Sequence, residues 1–124
     1  MARILVIDDE QDVRTVIRAM LQSGGHEVEV AADGEDGIRR FEQGPFDVVL
    51  CDSVMPRKPG EETIKEIRKL SDSVVIISMS GAVVDDDEHS ATSEGASRRI
   101  AKPFRVAALL SMVAECLATS KRRT

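Results

Sequence analysis

Apolar and polar positions divide this chain into unbroken apolar runs and periodic stripes. Ile4-Leu5-Val6-Ile7, Val48-Val49-Leu50-Cys51 and Val74-Val75-Ile76-Ile77 are apolar without alternation, as strands covered on both faces are. Glu27-Val28-Glu29-Val30-Ala31 alternates, which predicts an edge strand, and Ile100-Ala101 predicts a short fifth one. Val13, Val16, Ile17, Met20 and Leu21 fall at helical spacing and predict an amphipathic helix, stopped by Ser23-Gly24-Gly25. Asp33-Gly34 turns the chain into a short helix with Ile38 and Phe41 facing inward, closed by Gly44-Pro45. After Pro59-Gly60 comes a helix carrying Ile64, Ile67 and Leu70, and the last helix buries Val106, Leu109, Leu110, Val113 and Leu117. Between them, 85–94 predicts the weakest helix. Asp85-Asp86-Asp87-Glu88 suit a helix start, but only Ala91 offers an apolar face. Ser90, Thr92, Ser93 and Gly95 are poor helix formers, so this element is expected to be the most mobile or partly unwound.

Strands alternating with helices five times predict an α/β fold, with a single doubly wound, five-stranded parallel sheet of strand order 2-1-3-4-5. That order sets the first and third strands side by side. A length of 124 residues suits one domain, placed at 1–120, with 121–124 as a basic tail or the start of a linker.

Composition narrows the function. The net charge of −5 argues against direct nucleic-acid binding by this domain, since only Lys121-Arg122-Arg123 clusters positive charge. Aromatic content of 2%, all Phe, leaves no stacking platform for bases. No apolar run approaches the roughly 20 residues of a membrane span. Met1-Ala2-Arg3-Ile4 passes directly into a strand-like run, so no leader peptide and a cytoplasmic location are expected. Cys51 and Cys116 have neither metal nor disulfide spacing and read as reduced core residues. His26 and His89 have no companion base or ligand in sequence and read as surface histidines.

Chemistry gathers where strands end. Asp52 closes the run Val48-Val49-Leu50-Cys51 and precedes Ser53-Val54-Met55-Pro56. Alone, it reads equally as a carboxylate on the rim of a parallel sheet or as a turn or cap residue. Asp8 and Asp9 end the first strand, Ser80 the fourth, and Lys102 the fifth. Under the expected topology Asp8, Asp9 and Asp52 converge, and clustered carboxylates repel one another unless a cation joins them. Carboxylate and carbonyl oxygens suit magnesium. A phosphoryl group arriving there needs a nucleophile, neutralisation and a hydroxyl donor, which Asp52, the metal with Lys102, and Ser80 could supply.

These pieces resemble a response-regulator receiver domain of two-component signalling, similar to CheY, from Arg3 to about Leu117. The matching stretches are Ile7-Asp8-Asp9-Glu10, Leu50-Cys51-Asp52-Ser53-Val54-Met55-Pro56 with Gly60, Ser80-Gly81, and Lys102-Pro103-Phe104. The resemblance implies a (βα)5 flavodoxin-like fold and a phosphorylation-dependent switch rather than an enzyme, with at most self-phosphorylation and self-dephosphorylation. It implies Asp52 as phosphoacceptor, with Mg2+ bound by Asp9, Asp52 and the backbone carbonyl of Val54, and by Asp8 through water. It further implies that Lys102 pairs with Asp52 at rest, that Ser80 moves inward on phosphorylation, and that Lys102-Pro103 is cis. The implied donor is a histidine kinase or a histidine phosphotransfer protein. The implied recipient is a downstream protein or fused output domain, and homodimerisation is compatible.

The chain departs from that family at Arg99, where receivers usually carry Tyr or Phe three residues before the Lys-Pro pair. A guanidinium is not buried as a phenol is unless it is paired, so Arg99 is expected to swing between solvent and acidic partners in Asp85 to Glu88. Val54 and Ala82 offer no group to orient an attacking water, which predicts slow phosphoryl loss. Two further readings stand beside the switch. A degenerate receiver would act as a constitutive interaction module. A magnesium-dependent phosphohydrolase would want an Asp where Val54 stands.

Overall fold

The computed structural model describes residues 2–53, 55, 59–80 and 95–122. In chain order the elements are β1 (Arg3–Ile7), α1 (Gln11–Ser23), β2 (Glu27–Ala31), α2 (Gly34–Gln43), β3 (Val48–Asp52), α3 (Gly60–Leu70), β4 (Val75–Ser80), β5 (Arg98–Ala101) and α4 (Val106–Arg122). The strands form one parallel sheet of order β2-β1-β3-β4-β5, as the alternation predicts.

Alternation along each strand splits the core in two. On one face Ile4, Val6, Leu50, Ile77 and Met79 meet Ile17 and Leu21 of α1 and Leu109, Val113 and Cys116 of α4. On the other, Leu5, Ile7, Val49, Cys51 and Ile76 meet Ile64 and Ile67 of α3, with Ile38 and Phe41 of α2 packed alongside. Both cysteines are buried and unpaired. Gly25, at φ 87°, makes the left-handed turn that ends α1. Asp33 caps α2, its carboxylate accepting from the Asp36 N–H at 2.8 Å.

Four expectations need correction. The fourth strand does not stop at Ile77 but continues through Ser78, Met79 and Ser80, all buried, because β3 and β5 pair with it on both sides. The fifth strand starts two residues earlier, at Arg98; as an edge strand it buries only Ile100, so its sequence carries little apolar signal. Val16, Leu70 and Val106 are 52%, 49% and 41% exposed. Leu70 and Val106 are terminal helix residues, and Val16 lies beside a seam through Ile17 and Leu21, so the buried stripes are narrower than periodicity suggests. His26 is not a plain surface histidine: it is half-buried, and its Nδ1 accepts from the Ala2 N–H at 3.0 Å, tying the start of β1 to the turn before β2. The predicted helix 85–94, with His89, lies outside the described residues. The final helix continues to Arg122, into the basic cluster. Among the described residues, no helix is long and apolar enough to cross a membrane.

Candidate functional site

The site grows from register. Ile7 of β1 pairs with Cys51 of β3, so the residues that follow, Asp8 and Asp52, emerge together at the C-terminal edge of the sheet. Asp52 in turn pairs with Met79 and Ser80 with Ala101, so the ends of β3, β4 and β5 stand in sequence along the same rim. Lys102 leaves β5 with its N–H donating to the Ser80 carbonyl at 2.6 Å, and its bond to Pro103 is cis.

Asp8 is fully buried, an uncommon place for a carboxylate without partners. Its Oδ2 accepts from Lys102 Nζ at 2.7 Å, and its Oδ1 accepts from the Glu10 N–H at 2.9 Å. The cap position of α1 belongs to Glu10, so Asp8 shapes the approach to the helix without capping it. Asp52, 5% exposed, has its Oδ2 3.3 Å from the same ammonium. Lys102 therefore bridges two carboxylates: the pairing with Asp52 that the resemblance implied is present, and Asp8 is a second, nearer partner. Burial works against the ammonium, yet the hydrogen bond and charge of Asp8, joined by those of Asp52, hold the Lys102 pKa above the usual lysine value.

Asp9 and Glu10 are exposed on the loop after β1, and their oxygens lie with those of Asp8 within 4.8 Å of one another. All are hard oxygen donors, with neither sulfur nor imidazole among them, which fits magnesium. Glu10 is an addition: it stood inside the matched Ile7-Asp8-Asp9-Glu10 stretch but was not singled out as a metal neighbour. Arg14 is another, its Nη1 donating to the Asp8 carbonyl at 2.7 Å from one turn into α1.

Behind Asp52 the packing is tight. The Cys51 Sγ donates to the Asp52 carbonyl at 3.4 Å and points into the core opposite Leu50, as the alternation predicts. Burial, then the charges of Asp52 and Asp8, push its thiol pKa far up, so it stays a neutral core group. Gly60 starts α3 directly against this backbone. A Cβ there would clash with the Asp52 carbonyl oxygen and stand 2.7 Å from the Ser53 Cα. Ser80 sits at 9% exposure on the rim. Arg99 is half-buried in β5, opposite Ser78, while Val54 and the acidic partners expected for Arg99 lie outside the described residues.

Residues 4–114 match the family model for the response regulator receiver domain. The transcriptional regulatory protein DltR of Streptococcus agalactiae is 32% identical over 111 residues, covering 90% of this chain and 50% of that protein. The chain thus spans about half the length of such curated relatives. Among solved structures, the chemotaxis protein CheY4 of Vibrio cholerae superposes with a TM-score of 0.87 at 30% identity, covering 94% of this chain and 98% of that one. The response regulator protein TrrA of Thermotoga maritima, solved in complex with Mg(2+)-BeF, reaches 0.84 at 32% identity, with 94% and 99% coverage. The chain belongs to the response regulator receiver domain family of two-component systems.

Proposed function

We propose that this receiver is a phosphorylation-dependent switch in which Asp52 takes the phosphoryl group from a phosphohistidine on a sensor kinase or phosphotransfer protein. The single observation that carries the reading is the Lys102 ammonium held between Asp8 and Asp52 on the sheet rim. A carboxylate oxygen of Asp52 attacks phosphorus in line with the histidine nitrogen. As the new O–P bond forms, the P–N bond breaks, and the imidazole departs with the electron pair and takes up a proton. The product is an acyl phosphate on Asp52. Asp9, Asp52 and the Val54 carbonyl would hold magnesium, with Asp8 through water and Glu10 nearby. When bound, the metal neutralises the oxygens of the transferring group. Lys102, already placed 3.3 Å from Asp52, can move its contact from carboxylate to phosphoryl oxygen. Ser80, brought to the rim by β4, donates its hydroxyl to another of those oxygens.

Output would then pass to a downstream protein or to an output domain on the same polypeptide, as the greater length of DltR suggests. Residues 1–120 form the receiver in this reading, with 121–124 leading out of it, in a cytoplasmic protein. Arg99 takes the position of the usual aromatic switch. The test is incubation with a small acyl phosphate and magnesium, followed by mass spectrometry. The native chain should gain one phosphoryl group and Asp52→Asn none; no gain in the native chain would favour the constitutive module instead. Because Val54 and Ala82 offer no water-orienting group, the acyl phosphate should decay slowly, and loss within seconds in magnesium would count against that.

A further inference from the structure

Lys102 works only if β5 delivers it to the right place, and β5 has little of its own to fix its register. It has four residues, lies at the sheet edge and buries only Ile100. Strands with so small a buried set are weakly specified, and a slip of one residue would turn every side chain to the opposite face. Hydrogen bonds at the two ends must therefore set the register. At the far end stands the Lys102 N–H on the Ser80 carbonyl. At the near end, Ser97 donates its N–H to the Ile76 carbonyl at 2.7 Å and accepts from the Ile76 N–H, through its Oγ, at 3.2 Å.

Arg68, in the last turn of α3, holds that near end. Its Nε and Nη2 both donate to the Gly95 carbonyl, at 3.0 and 2.8 Å, and Nη2 reaches the Ser97 Oγ at 3.5 Å. Its Nη1 turns the other way, to the carbonyls of Ser71, Asp72 and Val74 at 3.3, 3.1 and 2.8 Å. One planar fork thus ties the turn into β4 to the residues that start β5, a geometry lysine cannot copy. Gly95 completes the turn with φ 95°, which favours glycine.

We propose that Arg68 is a positioning residue for Lys102: by clasping Gly95 and Ser97 it sets where β5 begins and so where the ammonium meets Asp8 and Asp52. This rests on the reading of Asp52 as phosphoacceptor only through the activity it modulates. The test is a double-mutant cycle on the full chain, with rates of phosphorylation by a small acyl phosphate in magnesium corrected for folded fraction by circular dichroism. Arg68→Gln should slow the rate at saturating donor about tenfold when Lys102 is present, the scale of a modest misplacement. It should add nothing in a Lys102→Met background, because both changes remove the same effect. Equal slowing in both backgrounds, or none in folded Arg68→Gln, would overturn the proposal. Should Arg68→Gln fail to fold, Arg68→Lys keeps the stem and the charge but not the fork on Gly95, and is read identically. Amide hydrogen exchange separates this proposal from the phosphoacceptor reading, since it needs no phosphoryl transfer. Arg68→Gln should speed exchange at the Lys102 N–H about tenfold, a local opening spread along the strand. Faster exchange confined to residues 95–97, with the Lys102 N–H as protected as before, would sink the proposal even if Asp52 is phosphorylated normally.

Discussion

At the scale of single residues, Lys102 and Gly60 show two kinds of dependence. Lys102 is 18% exposed and Asp8 fully buried, so the pair exchanges little with solvent. Lys102→Met leaves the Asp8 carboxylate buried without its cation, and a broken buried pair of this kind costs about 3–5 kcal/mol. Denaturant unfolding near neutral pH should show that loss. The alkaline limb carries a second signature. Because the folded Lys102 pKa is raised, the pair's contribution is complete below the ordinary 10.5 and is lost as pH rises through the folded value. Native protein should lose stability over that range, and Lys102→Met should lose less. Gly60 depends on space instead. In Gly60→Ala the new methyl meets main-chain atoms of Asp52 and Ser53, which cannot swing aside as a flexible side chain would. A cost of about 1–3 kcal/mol is expected from the overpacking. Phosphorylation of Asp52 should slow as well, measured by mass gain over time.

At the scale of elements, helical periodicity named more buried positions than the sheet could cover. Leu109 and Leu70 both sat on predicted stripes, yet Leu109 is fully buried under the sheet and Leu70 is 49% exposed at the end of α3. Leu109→Ala should therefore cost about 2–5 kcal/mol. Leu70→Ala should stay within about 0.5 kcal/mol, as surface changes usually do. Matching midpoints for the two variants in chemical denaturation would contradict the assignment of faces. Strands were legible where burial was two-sided, as in β1 and β3. They were less legible where pairing rather than side chains defined them, as at Ser78 and Ser80 in β4 and Arg98 in β5.

For the whole molecule, a cation held on the acidic rim would link its binding to stability. A ligand that binds only the folded chain stabilises it by about 2.7 kcal/mol at a hundred times its dissociation constant. Magnesium should raise the thermal midpoint of the native chain, and Asp9→Asn should sharply reduce the shift. An equal shift in both would place the ion elsewhere. Glu10, close to Asp8 and Asp9, offers a graded control, because Glu10→Gln removes one charge without touching Asp52 or Lys102.

The sequence by itself determined where most strands and helices fall, and the identities of the carboxylates, hydroxyl and ammonium at the strand ends. Those follow from local periodicity. Tertiary structure alone decided that Lys102 lies nearer Asp8 than Asp52 and that Arg68 clasps the start of β5. Those contacts join residues far apart in the chain, up to 94 positions for Lys102 and Asp8, and periodicity carries no record of which side chain reaches which. The distance between carboxylate and ammonium exists only once five strands have been set side by side.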